Sequence, residues 1–398
     1  MVARRTRNHC RQSATVGCIV IPIAMPLLAD EEADAARAAV LSGWVSQGPQ
    51  VSAFEHEFAT LVGAPFACAV SNCTTALQVA LAALDIGPGD EVITPSHSFI
   101  ATANSVRYQG ATPVFVDIDP ETYNIDAARA TEAITPRTRA IITVHQMGMP
   151  CDLAALTVLA DRHGVPLIED AACAAGSQIQ VNGDWERIGK PHGRIACFSF
   201  HPRKVITTGE GGMLTTADPE LDRRFRLLRQ HGMSVPDTVR HDSPRIIFED
   251  YLVVGYNYRM TDIQAAVGRK QLERLSELVT RRRAVAARYA ELLGSFEGLR
   301  LPAEPEWARS NWQSYCVRLP NRLDQKALMQ TLLDRGIATR RGIMCAHRET
   351  AYTAEKPRHK LHQSELAQDH SILLPIYAQM TEDDVIYVAD ALRTVLRR

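Results

Sequence analysis

A primary amine does covalent chemistry only where the fold holds it beside a ligand, and this sequence offers few candidates. Its six lysines are Lys190, Lys204, Lys270, Lys326, Lys356 and Lys360, and arginine supplies nearly all the other positive charge. Five of the six lie in polar or helical surroundings of the kind found on solvated surfaces. Lys204 lies instead in Cys197-Phe-Ser-Phe-His-Pro-Arg-Lys204-Val-Ile-Thr-Thr-Gly-Glu-Gly-Gly212, between a β-like run and a glycine cluster. Glycine turns let backbone come close to a bound ligand. A solvated lysine beside a tight turn is the plain alternative, and the segment around Lys204 argues against it.

Other residues have the types and places that a ligand site needs. Asp170 ends the apolar run Pro166-Leu-Ile-Glu-Asp170, and open α/β sheets gather ligand contacts at such strand ends; capping the following turn is the other reading. Ser71-Asn-Cys73-Thr74-Thr75 precedes a helical pattern, so Thr74 and its neighbouring amides could cap the helix, hold an anion, or do both. Phe99, in Pro95-Ser-His-Ser-Phe99, is a core residue or a ring that stacks on a ligand. Gly255-Tyr-Asn257-Tyr-Arg-Met-Thr-Asp262 is a polar cluster before a long helix, readable also as an Asn turn with a Thr or Asp cap. His347, in Gly342-Ile-Met-Cys-Ala-His347, is either a packing histidine or a substrate contact. Arg340 and Arg341 could meet a diphosphate or be solvated.

The elements that must position these residues alternate between two periods. Thr75 to Leu84 reads as a buried helix, Glu91 to Thr94 as a strand, Thr102 to Tyr108 as a helix, and Thr112 to Val116 and Ala140 to Val144 as strands. Leu153 to His163 is a helix, followed by a strand from Pro166 to Ile168. Such β/α alternation predicts an α/β fold with a mainly parallel sheet between helices. After Asp262 the pattern changes to long helices, Ile263 to Leu275 and about Leu278 to Leu293, then a mixed segment. A large domain over residues 21–275 and a smaller C-terminal α+β domain over 276–398 are expected.

These motifs carry a resemblance. Ser-Phe-His-Pro-x-Lys-x-x-Thr-Thr-Gly-Glu-Gly-Gly is similar to the cofactor-lysine signature of the DegT/StrS sugar aminotransferases, fold type I pyridoxal-phosphate enzymes. The similarity runs from about Ile21 nearly to the end of the chain. It implies that pyridoxal 5'-phosphate is held on Lys204 as a Schiff base and passes through its pyridoxamine form. It also implies that Asp170 keeps the pyridine nitrogen protonated, so that the ring acts as an electron sink. Ser199, Thr74 and the amides beside Cys73, which stands where the family has glycine, would hold the phosphate, and Phe99 would stack on the ring. Asn257 would reach the phosphate of a neighbouring subunit in a homodimer with a shared active site. Cys173 stands where the family has His or Gln. A thiol is a weak donor, so it is placed at the cofactor without a role. His347, Arg341 and Trp44 fall on the substrate side, although Gly342 replaces the first histidine of the family's loop.

The implied reaction is a transamination in which an amino donor, glutamate by resemblance, gives its nitrogen to a keto-sugar, most simply one linked to a nucleotide. Lys204 would shuttle the proton, which requires its pKa to fall from the ordinary ~10.4. A cyclitol ketone is an alternative acceptor. Dehydratase relatives replace the lysine, usually with histidine, and here it is intact. Lys204, Asp170 and Ser199 together argue against a non-catalytic regulator on the same fold.

Composition limits the other classes. The chain has 398 residues, a 46% hydrophobic and 22% charged composition, and a formal net charge of -1, which gives no electrostatic reason to expect nucleic acid or an anionic membrane as partner. Nine scattered cysteines without a C-x-x-C pair read as reduced thiols of a cytoplasmic protein, and the histidines show no metal-ligand spacing. Residues 1–20 are expected to be a disordered extension or the product of a misplaced start codon. Their arginines precede an apolar run from Val16 to Ala29, but Pro22 and Pro26 interrupt it and argue against a signal peptide. No stretch approaches the ~18 apolar residues of a membrane span.

Overall fold

A computed structural model describes residues 21–235, 240, 243–353 and 357–397; the extension expected over residues 1–20 lies outside them. The first two strands and the helices around them come in the order α1 (Asp30–Leu41), α2 (Pro49–Val62), β1 (Phe66–Val70), α3 (Cys73–Ala83) and β2 (Glu91–Pro95). Next are α4 (Ile100–Tyr108), β3 (Thr112–Val116), α5 (Ala127–Glu132), β4 (Thr138–Val144), α6 (Leu153–His163) and β5 (Leu167–Asp170). A hairpin, β6 (Gln178–Val181) and β7 (Asp184–Arg187), leads to β8 (Ile195–Ser199), β9 (Gly212–Thr216) and α7 (Pro219–Arg229).

Seven of these strands form one sheet in the order β1-β9-β8-β5-β4-β2-β3. Pairing is parallel from β8 to β3, and β9 runs antiparallel to both β8 and β1. The expected α/β fold with a mainly parallel sheet is what the chain adopts. Successive strand residues point to opposite faces, and both faces are buried: Ala67, Ala69, Ile93, Ile141, Leu167 and Phe198 join one core, while Cys68, Val70, Val92, Ile142, Ile168 and Cys197 join the other. Helices α2 and α6 cover the first face; α3 and α7 cover the second. Four rings, Phe54, Phe58, Phe198 and Phe200, fasten α2 to the sheet at centroid distances of 4.9 to 6.3 Å. Truncating a buried ring of this kind costs about 3–5 kcal/mol.

The chain continues through α8 (Asp262–Glu273), α9 (Leu275–Leu293), β10 (Ala308–Arg309), β11 (Tyr315–Arg318), α10 (Gln325–Asp334), β12 (Arg340–Arg341), α11 (His362–His370), β13 (Ser371–Leu374) and α12 (Glu382–Leu396). A small antiparallel sheet, β11-β13-β12, packs with α9, α10 and α12 around Tyr289, Tyr315, Leu332 and Leu392. Helix α9 divides its side chains: Leu275, Leu278 and Val279 enter the large core, Val285 to Leu293 the small one. Ile21 packs into the small core and β10 pairs with β6 on the large side, so two short segments cross the division. No helix among the described residues is long and apolar enough to cross a membrane.

Candidate active site

The C-terminal ends of the parallel strands open into a cavity of about 1220 Å³, lined also by β12 and β13 of the small sheet. Nine of the residues singled out from sequence line it: Cys73, Thr74, Phe99, Asp170, Cys173, Ser199, Lys204, Arg340 and Arg341.

Asp170 closes β5 and is 5% exposed. Its Oδ2 accepts the Thr102 hydroxyl at 2.8 Å and its Oδ1 the Ala172 N–H at 3.1 Å, which leaves each oxygen with room for a further donor. Burial pushes its pKa up, while the Thr102 and Ala172 bonds and the Lys204 charge pull the other way; the net direction is upward. Thr102 in turn lies 2.8 Å from the Ser98 hydroxyl. Behind the strand end, His145 Nε2 meets Glu169 Oε2 at 3.0 Å, and His145 Nδ1 accepts the Cys151 N–H at 3.0 Å. Burial opposes charge on the ring, but Cys151 and Glu169 push its pKa up to about 10, and the Cys151 N–H aimed at Nδ1 favours a proton on Nε2 toward Glu169. Glu169 also accepts the Gly193 N–H at 2.8 Å, and the His145 N–H donates to the Asp170 carbonyl at 3.1 Å. The end of β5 is thereby fixed from both sides.

Lys204 follows β8 in a turn where its N–H donates to the His201 carbonyl at 2.8 Å. Its Nζ reaches Cys173 Sγ at 3.1 Å. Burial would lower its pKa, but Cys173 first, then Cys73 and Asp170, outweigh burial and hold it above the ordinary value. The chain's own neighbours thus favour the charged amine. Gly209 has φ +81°, a left-handed conformation that suits glycine. A Cβ at Gly212 would stand 2.5 Å from the Asn72 carbonyl carbon, so the glycine lets β9 pass directly against the start of α3.

Asn72 caps α3 by accepting the Thr75 N–H at 2.9 Å. The amides of Cys73 and Thr74 come before the first intrahelical bond and so carry the partial positive charge of a helix start. Cys73 itself is buried, its Sγ 3.6 Å from the Cys197 carbonyl. Ser199, at the end of β8, lines the same cavity. A buried carboxylate with spare acceptor capacity, an amine, and a helix start flanked by hydroxyls make a donor set that fits pyridoxal phosphate: ring nitrogen, aldehyde and phosphate each find their complement. Phe99, 62% exposed, stands over the opening.

Three expected residues do not line this cavity. Asn257 is exposed and bridges to Gln230, whereas its neighbours Tyr256 and Tyr258 stack at 4.8 Å and Tyr258 reaches Gln78. The His347 side chain is only 7% exposed, with Nδ1 2.6 Å from Ser96 Oγ and Nε2 3.2 Å from Glu365; it fastens its turn to the end of β2. Trp44 packs at Gly48, where a Cβ would meet its ring at 2.8 Å. Asp262 accepts the N–H groups of Gly48, Gln50 and Val51 at 2.8, 3.0 and 3.0 Å, and so caps α2. Sequence reasoning missed Thr102, whose one signal was its place three residues after Phe99 on α4, and Arg203, which lines the cavity beside Lys204.

Fold and site together define a fold type I pyridoxal-phosphate enzyme, and comparison with known proteins gives the class. The DegT/DnrJ/EryC1/StrS aminotransferase family profile matches residues 26–393, and the chain belongs to that family. It is 37% identical to the spore coat polysaccharide biosynthesis protein SpsC of Bacillus subtilis, over 95% of this chain and 97% of that one. The aminotransferase TlmJ from Streptoalloteichus hindustanus superposes with a TM-score of 0.87 at 35% identity, covering 95% of this chain and 99% of TlmJ. Spr1654 from Streptococcus pneumoniae, solved in a PLP form, matches with a TM-score of 0.87 at 26% identity, over 95% and 98% of the two chains. The chain is a PLP-dependent sugar aminotransferase.

Proposed function

We propose that the enzyme moves an amino group from glutamate to the carbonyl of a nucleotide-linked keto-sugar, with Lys204 and Asp170 as its catalytic residues. The observation that carries the residue assignment is the buried Asp170 carboxylate on the same cavity as the Lys204 amine and the start of α3. Pyridoxal phosphate, when bound, supplies the electron sink that stabilises negative charge on the donor's α-carbon. Asp170 keeps a proton at the ring nitrogen, and Thr102 holds the carboxylate in place. Lys204 anchors the cofactor, and its freed Nζ carries a proton from the donor's α-carbon. Ser199, Thr74 and the amides of Cys73 and Thr74 orient the phosphate, and Cys173 sets the resting position of Nζ. Phe99 shields the ring face from water.

The active unit in this reading is a homodimer in which Asn257 completes the partner's phosphate site. Asn257 is exposed, and Ile246, Phe248 and Val254 near it are 88%, 92% and 94% exposed, an apolar run of the kind that a second copy covers. A large cofactor-binding unit over 21–275, a small unit over 276–398, and a cytoplasmic location belong to the same reading; the seven described cysteines are free thiols. The test is a screen of keto-sugar nucleotides and cyclitol ketones with glutamate, following 2-oxoglutarate. Release of 2-oxoglutarate with a nucleotide-linked ketone supports the reading. Turnover only with a cyclitol, or water elimination without amination, overturns it.

A further inference from the structure

Two arginines that line the cavity have no ion pair among the described residues. Arg203 immediately precedes Lys204, and Arg340 lies on β12; both line the cavity and both are exposed. Neither guanidinium has an ion pair or hydrogen bond to another side chain among the described residues. Arg341 is different: its Nη2 meets Glu349 at 3.2 Å. Glu349 thus neutralises Arg341, while Arg340 on the same cavity has no ion pair among the described residues. Arg348, a few residues on, pairs with Asp369 at 2.7 Å. Glu210 also lines the cavity but forms no ion pair with either arginine.

The two side chains rise from fixed backbone. The Arg203 N–H donates to His201 Nδ1 at 3.2 Å and its carbonyl accepts the Gln313 side-chain amide. Arg340 is held opposite Leu373 in the small sheet. Burial, and then the neighbouring Arg340 charge, push the Arg203 guanidinium below its usual range. Two guanidiniums on one cavity with no carboxylate paired to either repel one another until an anion arrives, and planar guanidiniums bind carboxylate and phosphate oxygens in pairs.

We propose that Arg203 and Arg340 form one anion clamp used in both half-reactions, taking the donor's distal carboxylate in one and the sugar substrate's diphosphate in the other. This rests on the function proposed above. Donor and acceptor must each bring a reacting carbon to the same Lys204 Nζ, and each carries its anion a few bonds away from that carbon. A single pair of forks at the mouth suits both, and the substrate role expected of Arg341 passes to Arg340.

Binding tests the clamp separately from turnover. The thermal stability of the PLP-loaded chain is measured against inorganic pyrophosphate, 2-oxoglutarate and, as a keto-acid lacking the distal carboxylate, pyruvate. Pyrophosphate and 2-oxoglutarate should each raise the wild-type melting temperature and compete with one another. In Arg203→Gln and Arg340→Gln the apparent Kd for both should rise about tenfold or more, with that for pyruvate changing less than about threefold. Arg139→Gln, which removes an exposed pair with Asp90 at 3.5 Å, should change none of them. The clamp is overturned if wild type responds to neither anion, if either anion keeps its affinity in both variants, or if pyruvate weakens equally. Wild type that shows both shifts yet converts no amino donor would instead overturn the function and leave the clamp standing.

Discussion

The floor of the cavity and its mouth are built on opposite principles. At the floor, Asp170 is 5% exposed and held by Thr102 and Ala172, with His145 and Glu169 locked behind it. At the mouth, Phe99 is 62% exposed, Arg203 and Arg340 line the cavity with no ion pair to a carboxylate among the described residues, and Asn257 is exposed outside it. A floor whose polar groups are already oriented can stabilise developing charge without rearranging. An unpartnered mouth is what the proposed anion clamp and the proposed subunit contact each require. On those two proposals, the part that performs the chemistry is finished within one chain and the part that recognises is not.

Disabling the floor should have the largest effects. Lys204→Ala should lower transamination by at least about 10³-fold, because anchoring and proton transfer are lost together. In wild type, borohydride should fix the cofactor to a peptide containing Lys204; label on Lys190 or Lys270 would move the anchor elsewhere. Asp170→Asn should keep the cofactor but lose about 10²- to 10³-fold in turnover, since the amide cannot hold the ring proton by charge. Near-normal turnover there would mean that another residue faces the ring nitrogen.

At the mouth the expected change is smaller and depends on assembly. Asn257→Ala should weaken cofactor binding by about tenfold, measured by equilibrium dialysis. Mixing it with Lys204→Ala, under conditions of subunit exchange, should yield heterodimers in which one site has both defects and the other neither. Recovery of up to about half the sites follows. If mixing folded, exchanging variants restores nothing, Asn257 serves its own chain, and the contrast between a finished floor and an unfinished mouth loses its strongest support.

Much of the floor was legible in sequence because its signals are local. Leu153–His163 has the predicted bounds, set by an Asp152 cap and the left-handed Gly164. Helix α3 begins at Cys73 rather than Thr75 because Asn72, not Thr74, is the cap. Helix α4 begins at Ile100 because Phe99 is already its N-cap. The antiparallel course of β9 was not legible, since alternation reports which face a side chain takes and not which way its strand runs. Arg340 and Arg341 look alike in sequence; only Glu349, brought close by the turn after β12, tells them apart. Trp44 and His347 stand near the expected loops but bind Gly48 and Ser96 rather than open space, because spacing along a chain does not fix where a loop's side chains point.

Thr102→Val offers the finest test of a floor set in advance. Its hydroxyl donates to Asp170 Oδ2 at 2.8 Å and so favours the ionised carboxylate, against the burial that pushes Asp170 upward. A hydrogen bond to a charged group is worth about 1.5–3 kcal/mol, and a unit of pKa about 1.4 kcal/mol. Valine keeps the shape, removes the donor and leaves burial unopposed on that oxygen, so the Asp170 pKa should rise further, with the Ala172 N–H still opposing the rise. The sign is definite: a carboxylate that protonates at higher pH is lost as pH falls, so the acid limb of the turnover profile should move to higher pH. The alkaline limb should stay in place, and turnover near neutrality should fall by less than about tenfold. An acid limb that does not move, in a variant of unchanged melting temperature and cofactor content, would show that Thr102 only fills space beside a carboxylate oriented by other groups.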